Sequence, residues 1–480
     1  MQIRILKRWN SIPDAAKSSI AFAVSSFFTR GIVFLTTPVF TRALDTEQYG
    51  LVTTYNSWVS ILEVFAILGL TSAGVFNVGL NEHKKDRDQY VSSVLFLCNI
   101  TTICVFIIIF GIKTFSGFFS ILPNNLLLAM LIGFLFSPAQ IFWLTRQRYE
   151  YKYKLAFIVA IVSSIVSQLI SLLAIIVLKN NNYELGIVKI WASTLALLLV
   201  QIPIYIHLYF KGRVLYNPII WKATLAFALP LLPHYLAQHL MSSSDRIMIS
   251  SMYSQTGAAI YGVVSNISMV TTIIWSAINA SLIPITFDKI EKHEETGLNL
   301  VVVPLLIFYS AMCFIVTLIA PEVLIILAPK EYYSGIYAVP PIAITAFVTA
   351  LYNIYANIEF YHKKSWWIAF STIVSASINL ILNSIFIPRY GFVAASYTTF
   401  VSHILLVFLH YIGYRKYHKC KMYNDKQILA ILLITIVLCL MCNLLYSNDI
   451  LRYALVFIAL VVSVIRRKSI IECVKAIRKP

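Results

Sequence analysis

The sequence predicts an all-α polytopic membrane protein, and three observations predict it. Hydrophobic residues fill 59% of the 480 positions and charged residues only 12%, about half the charged share of ordinary globular domains. The apolar residues gather in runs of roughly 20, the length of helix that spans a hydrocarbon core. The connectors between runs are short and hold most of the charge. A soluble chain would need a core larger than single domains build to hide this apolar mass. Soluble enzyme, disordered, disulfide-framework and nucleic-acid-binding classes are excluded on these grounds, so the net charge of +18 calls for another reading.

That reading is topology. Apolar runs lie near 18–40, 51–78, 91–112, 124–145, 155–178, 187–210, 224–253, 257–285, 297–320, 336–360, 366–387, 392–413, 427–446 and 451–465, which makes about fourteen transmembrane helices. The basic opening MQIRILKRWNSIPDAAK is not followed by a small-residue cleavage site, so the first run is expected to remain an uncleaved span. Counted by connector, 29 Lys and Arg fall on one side. The other side holds six, Arg42, Lys113, Lys179, Lys330, Arg389 and Arg452. Basic connectors stay in the cytoplasm, so both termini of a multi-pass protein are expected there.

The runs repeat. Helix one leads through Arg42 to a turn ending at Tyr49-Gly50, and helix seven leads through Asp245-Arg246 to one ending at Tyr261-Gly262. The connector RQRYEYKYK after helix four matches EFYHKKSW after helix ten in position and chemistry. Two six-helix lobes in the same orientation around a central cleft are a recurrent transporter plan. The expected divisions are 1–213 (helices one to six), 214–417 (helices seven to twelve), 418–465 (helices thirteen and fourteen) and a basic cytoplasmic tail at 466–480.

Ionisable groups inside spans are costly and face a cavity or a partner. Those singled out here are Arg30, Glu63, Asp245, Arg246 and Glu359. Arg30 lies about 18 Å inside its helix, near the bilayer midplane, with no acidic neighbour in sequence. Thr53, Asn56, Ser60 and Glu63 recur along helix two at helical spacing, as do Tyr261, Ser265, Ser268, Thr272, Ser276 and Asn279 along helix eight. Each set shares one helical face, and two polar faces on equivalent helices point to a hydrated cleft. Ser163, Ser167 and Ser171, and Ser371, Ser375, Asn379 and Asn383, read instead as helix–helix packing surfaces. The candidate binding residues are therefore Arg30, Arg246, Asp245, Asn56, Ser60, Ser265, Thr272 and Asn279, with Glu63 as a candidate proton or sodium coupling site.

Other motifs carry less. Asp86-Arg87-Asp88 has the DxD form of metal–sugar-nucleotide sites but stands in a basic turn with no domain around it. Cys439 and Cys442 form a CxxC inside an apolar run with no second ligand pair, which reads as packing rather than zinc or redox chemistry. The histidines show no ligand spacing, and no phosphate-binding Walker loop is present. No catalytic, cofactor or metal set is expected.

The segment FFTRGIVFLTTPVFTRALDTEQYGLVTTYNSWVSILEVFAILGL resembles the opening of polysaccharide transporters of the MOP exporter superfamily. DRIMISSMYSQTGAAIYGVVSNISMV with INASLIPITF, APKEYYSGIYAVPP and IPRYGFVAASYTTFVSH resemble later segments of the same family, most of all Wzx-type O-antigen repeat-unit flippases. The resemblance implies movement of an undecaprenyl-pyrophosphate-linked oligosaccharide from the cytoplasmic to the periplasmic leaflet by alternating access. It also implies membrane lipids as surroundings, with an O-antigen polymerase and a chain-length regulator as candidate partners. A cation-coupled multidrug antiporter of the same superfamily is the competing reading. A membrane polymerase or glycosyltransferase fits less well, because no connector is large enough to house its active site.

Overall fold

The computed structural model describes residues 14–116, 122–181, 183–294, 297–418 and 420–465. The basic tail at 466–480 and the N-terminal cations Arg4, Lys7 and Arg8 lie outside the described residues. Those described form helices and connectors with no strand. Eleven helical segments are long and apolar enough to cross a membrane. The three further spans expected from the sequence, near 18–40, 51–78 and 451–465, are also helical among the described residues. The first and second carry Arg30 and the Thr53–Glu63 polar face, and the last, Asp449–Ile465, is only 17 residues long.

The chain divides into two compact units, Met1–His239 and Leu240–Pro480. The first contains α1 (Asp14–Ala43), α2 (Thr46–Ile67), α3 (Ala73–Glu82), α4 (Arg87–Ser116), α5 (Asn124–Tyr149), α6 (Tyr153–Leu178), α7 (Leu185–Gly212) and α8 (Pro218–Ala228). In it α6 packs on α7 and α1, and α4 packs on α2, α5 and α7. Its interior is aromatic and aliphatic, with Phe76 stacked on Phe142 at 4.5 Å. The serine face of α6 is buried as the spacing predicts, with Ser163 receiving a 2.9 Å hydrogen bond from Gln140 Nε2.

The run expected at 51–78 is two helices. Leu68 and Gly69 both have positive φ, which ends α2 before α3 begins. Gly69 is needed there for a second reason: a Cβ would stand 2.9 Å from the ring of Tyr235. Tyr235 Oη then donates to Ser72 Oγ at 3.1 Å across the break. The run expected at 224–253 is likewise interrupted, by a 3-10 turn at Leu229–Leu231 with Pro230 in it and Pro233 just beyond. Each proline lacks the N–H that would continue the helical ladder.

Where α4 begins and α5 ends, charges form a cluster. Arg146 pairs with Asp88 and with Glu150 at 2.9 Å, and Lys152 reaches Glu150 at 2.7 Å. Asp88 of the DxD thus serves an ion pair. Partial burial alone would push the Glu150 carboxyl up, but Lys152 and Arg146 outweigh it and hold the group below its ordinary range.

The helix α9 (Leu232–Met252) runs from the first unit into the second. There follow α10 (Gln255–Glu291), α11 (Leu298–Leu318), α12 (Ala320–Leu327), α13 (Val339–Tyr361), α14 (Ser365–Tyr390), α15 (Phe392–Tyr417), α16 (Asp425–Leu445) and α17 (Asp449–Ile465). In this unit α15 packs on α13 and α14, α10 on α13, and α11 on α16. Trp275, Tyr309, Phe347, Tyr355 and Tyr414 lie in its core. The start of α10 is capped by Ser254, whose Oγ accepts from Gly257 N at 2.9 Å. Asp45 caps α2 of the first unit in the same way, accepting from Gln48 N at 2.7 Å. Cys439 and Cys442 are buried free thiols.

The outer surface is apolar. Leu35 is 72% exposed, Val177 73% and Leu444 77%. Such side chains have no reason to face water along whole helices, whereas lipid accepts them, and the helical backbone satisfies its own polar groups.

Candidate translocation site

In the first unit, Arg30 stands on α1 as an exposed side chain. It has no hydrogen-bond or ion-pair partner among the described residues. A guanidinium carries five donors in a planar fork, so Arg30 offers its full set to a ligand. On α2, Asn56 is exposed and Thr53, Ser60 and Glu63 are half-buried. The hydroxyls donate to their own helix, Thr53 to Gly50 O at 2.9 Å and Ser60 to Asn56 O at 3.0 Å. Their oxygens keep lone pairs that can accept from sugar hydroxyls. Glu63 has no hydrogen-bond or ion-pair partner among the described residues.

In the second unit, Asp245 and Arg246 are neighbours on α9 with different surroundings. Asp245 is 4% exposed. Its Oδ2 accepts from Tyr261 Oη at 2.5 Å and Thr399 Oγ1 at 2.8 Å, and its Oδ1 accepts from Asn383 Nδ2 at 2.8 Å. The polar face of α14 extends this network. Asn379 Nδ2 donates to Thr399 Oγ1 at 3.0 Å, and Thr398 donates to Asn383 Oδ1. Arg246 is half-buried and makes one long bond, to Ser242 O at 3.5 Å. The residues brought together are therefore Asp245, Tyr261 and the α14 asparagines.

The α10 face is divided by its surroundings. Tyr261 and Ser268 are buried within the unit, while Ser265, Thr272 and Asn279 are half-buried and Ser276 is exposed. Ser265 donates to Tyr261 O at 2.7 Å, and Thr272 to Met269 O at 2.8 Å. Asn279 Oδ1 accepts from Asn357 Nδ2 at 2.9 Å.

Sequence reading missed two partners. His410 sits on α15, and its Nδ1 lies 2.7 Å from Glu359 Oε2 on α13, with both side chains fully buried. A histidine inside an apolar run was the available signal. Asn383 was read as a packing residue, and it is one, but the same contact satisfies Asp245.

Among the described residues no group of three or more His, Cys, Asp and Glu side chains could hold a metal ion. What the arrangement offers is an unpaired cation, hydroxyl and amide acceptors, and buried carboxylates tied into helix contacts.

A family described as polysaccharide biosynthesis protein matches residues 15–290. The chain belongs to that family. Among curated relatives, an uncharacterized membrane protein of Haemophilus influenzae is 27% identical over 145 residues, which are 28% of this chain and 34% of that one. The chain spans about a third of the length of the curated relatives it matches. Among solved structures, this member of the polysaccharide biosynthesis family is similar to the lipid II flippase MurJ in an inward closed conformation. The TM-score is 0.69 at 15% identity, covering 95% of this chain and all of that one. It is also similar to an inward-facing multidrug resistance MATE family transporter of the MOP superfamily. There the TM-score is 0.58 at 12% identity, covering 82% of this chain and 94% of that one. At such identities the likeness is one of fold: the chain has the helical fold of MurJ and the MATE transporters.

Proposed function

We propose that this protein is a flippase that moves a polyprenyl-pyrophosphate-linked oligosaccharide, of the O-antigen repeat-unit kind, from the cytoplasmic to the outer leaflet of a bacterial inner membrane. The observation that carries the reading is Arg30, an exposed guanidinium in the middle of a 30-residue helix with no counter-charge among the described residues. A cation left unpaired at membrane depth is costly and calls for an anionic ligand, and a diphosphate matches the guanidinium fork. Arg246, held by one long hydrogen bond, is proposed as the second phosphate contact. Asn56, Ser60, Ser265, Thr272 and Asn279 are proposed to meet glycan hydroxyls, which cannot cross hydrocarbon unpaired. Asp245, with both oxygens engaged, is proposed to support Arg246 rather than to touch cargo. No bond of the cargo is made or broken, so the protein acts as a transporter and not as an enzyme. Glu63 is proposed as an ion-coupling group of the first unit.

The test is surface polysaccharide display in a strain lacking the gene, normalised to the amount of protein in the membrane. Losing a charged hydrogen bond of about 1.5–3 kcal/mol is expected to weaken apparent affinity by about one to two decades in Arg30→Ala. Arg30→Lys keeps charge without the fork and is expected to recover part of this. Normal display by Arg30→Ala at ordinary protein abundance would overturn the reading. A change confined to drug resistance would point to the antiporter instead.

A further inference from the structure

The second unit contains a titratable pair that the proposed cargo path does not use. Glu359, near the end of α13, and His410, within α15, meet at 2.7 Å with no exposed side-chain surface on either. Glu359 Oε1 and His410 Nε2, the two atoms outside that contact, are buried without hydrogen-bond partners. The site is closely built. Tyr352 stacks on the His410 ring at 5.5 Å. Gly413 leaves room for the carboxylate, since a Cβ there would stand 2.0 Å from Glu359 Oε1 and 2.3 Å from Trp367 Nε1.

A second pair joins the same two helices at their ends. His362 Nε2 lies 3.1 Å from His418 Nδ1. His362 is three residues beyond Glu359, about 4.5 Å along the axis, and His418 is eight beyond His410, about 12 Å. Tyr414 stands between the α15 histidines and stacks on His418 at 6.4 Å.

Several ionisable groups of the surrounding elements have partners of their own. Asp425 on α16 accepts from Tyr411 at 3.0 Å, and Asp288 on α10 is paired with Lys292 at 2.9 Å. Lys364, just before α14, lies over the Tyr417 ring and Lys416 on α15 over the Trp367 ring. On α11, Tyr309 donates to Ala346 O at 3.5 Å, with Cys313 buried one turn on. Among the described residues, His410 is the group within ion-pair distance of Glu359.

We propose that the Glu359–His410 dyad is a proton-binding site of the second unit, loaded from the ends of α13 and α15 through the His362–His418 pair. With one proton on the imidazole, at Nδ1 and directed to Glu359 Oε2, the dyad carries a net negative charge. A second proton, on Glu359 Oε1, makes it neutral overall. An apolar interior discriminates strongly between an anion and a neutral pair, so a single proton changes what the α13–α15 contact tolerates. Under the flippase reading this proton couples transport to a proton gradient, and that clause alone rests on that reading.

The test is infrared difference spectroscopy of the purified full chain in lipid, with the proton itself as the probe, over a pH range of about 5 to 8. A carboxyl band that grows as pH falls is expected, lost in Glu359→Gln and shifted in His410→Gln. Glu359→Asp retains a titrating band at another frequency, which guards against a variant that merely fails to fold. His362→Phe with His418→Phe is expected to slow deuterium exchange of the band. A spectrum whose pH response is the same in the parent chain, Glu359→Gln and His410→Gln would overturn the site. Unchanged exchange in the double histidine variant would overturn the route. Cargo display that fails while the band titrates would sink the flippase reading alone, and display that ignores the proton gradient would sink the coupling clause alone.

Discussion

At the scale of single residues, the buried polar groups of the second unit separate by what surrounds them. Asp245 is held by three neutral donors from α10, α14 and α15. Replacing it with alanine leaves those donors buried without an acceptor, at about 1–3 kcal/mol for each group left unsatisfied. Asp245→Ala is therefore expected to lower the melting temperature in a lipid or detergent assay by more than Arg246→Ala does. Arg246 has little to lose, because its one bond to Ser242 is long. Equal melting temperatures for the two variants would show that the Asp245 network contributes nothing to stability. The Tyr261 that closes this network follows the helix-starting Ser254 by seven residues. Its chemistry was legible from the polar spacing along α10, but its partner was not.

At the scale of elements, the last helix is attached by a clamp rather than by its own apolar face. Arg452, 2% exposed, donates to Leu318 O at 2.9 Å and to Glu322 Oε2 and Oε1 at 2.9 and 2.8 Å. It also pairs with Asp449, and Tyr453 Oη donates to Glu322 at 2.8 Å. These bonds tie α17 to the end of α11 and to α12. Removing one partner of a buried pair costs about 3–5 kcal/mol. The lower end applies here, because the Glu322 side chain is 32% exposed. Arg452→Ala is expected to raise amide hydrogen exchange in α17 while leaving α13 unchanged, and equal protection in both proteins would refute the clamp.

The same clamp has a pH dependence. Partial burial would push the Glu322 carboxyl up, but hydrogen bonds from Arg452 and Tyr453 prevail and hold it below its ordinary value. A group lowered in the folded state stabilises above its unfolded pKa, so the contribution is complete above about pH 4.5. It is lost as pH falls through the lowered value. Exchange in α17, corrected for the intrinsic pH dependence of amide exchange, is therefore expected to rise below that point in the parent chain and to rise less there in Glu322→Gln.

At the scale of the whole molecule, the distribution of 29 Lys and Arg on one set of connectors and six on the other sets an expected orientation. In a cysteine-free background, an impermeant thiol reagent added outside cells is expected to label Tyr183→Cys. It is expected to label Lys364→Cys only after permeabilisation. Both positions are exposed, so accessibility of the side chain does not limit either reaction. Labelling of both from outside would reverse or break the topology.

The sequence by itself determined the class of the molecule, most of its helical runs and the family to which its segments point. Hydrophobic length and charge placement are local properties, and each run carries its own evidence. It also marked Arg30, whose standing depends on the absence of a nearby counter-charge. Only the tertiary structure decided which intramembrane polar groups are already satisfied. Asp245 meets its partners across 138 and 154 residues of chain, and Glu359 meets His410 across 51. Nothing local encodes such a meeting. A carboxylate waiting for cargo and one closed into a helix contact are the same letter in the sequence, and they become different only when a distant helix brings, or fails to bring, a donor to within 3 Å.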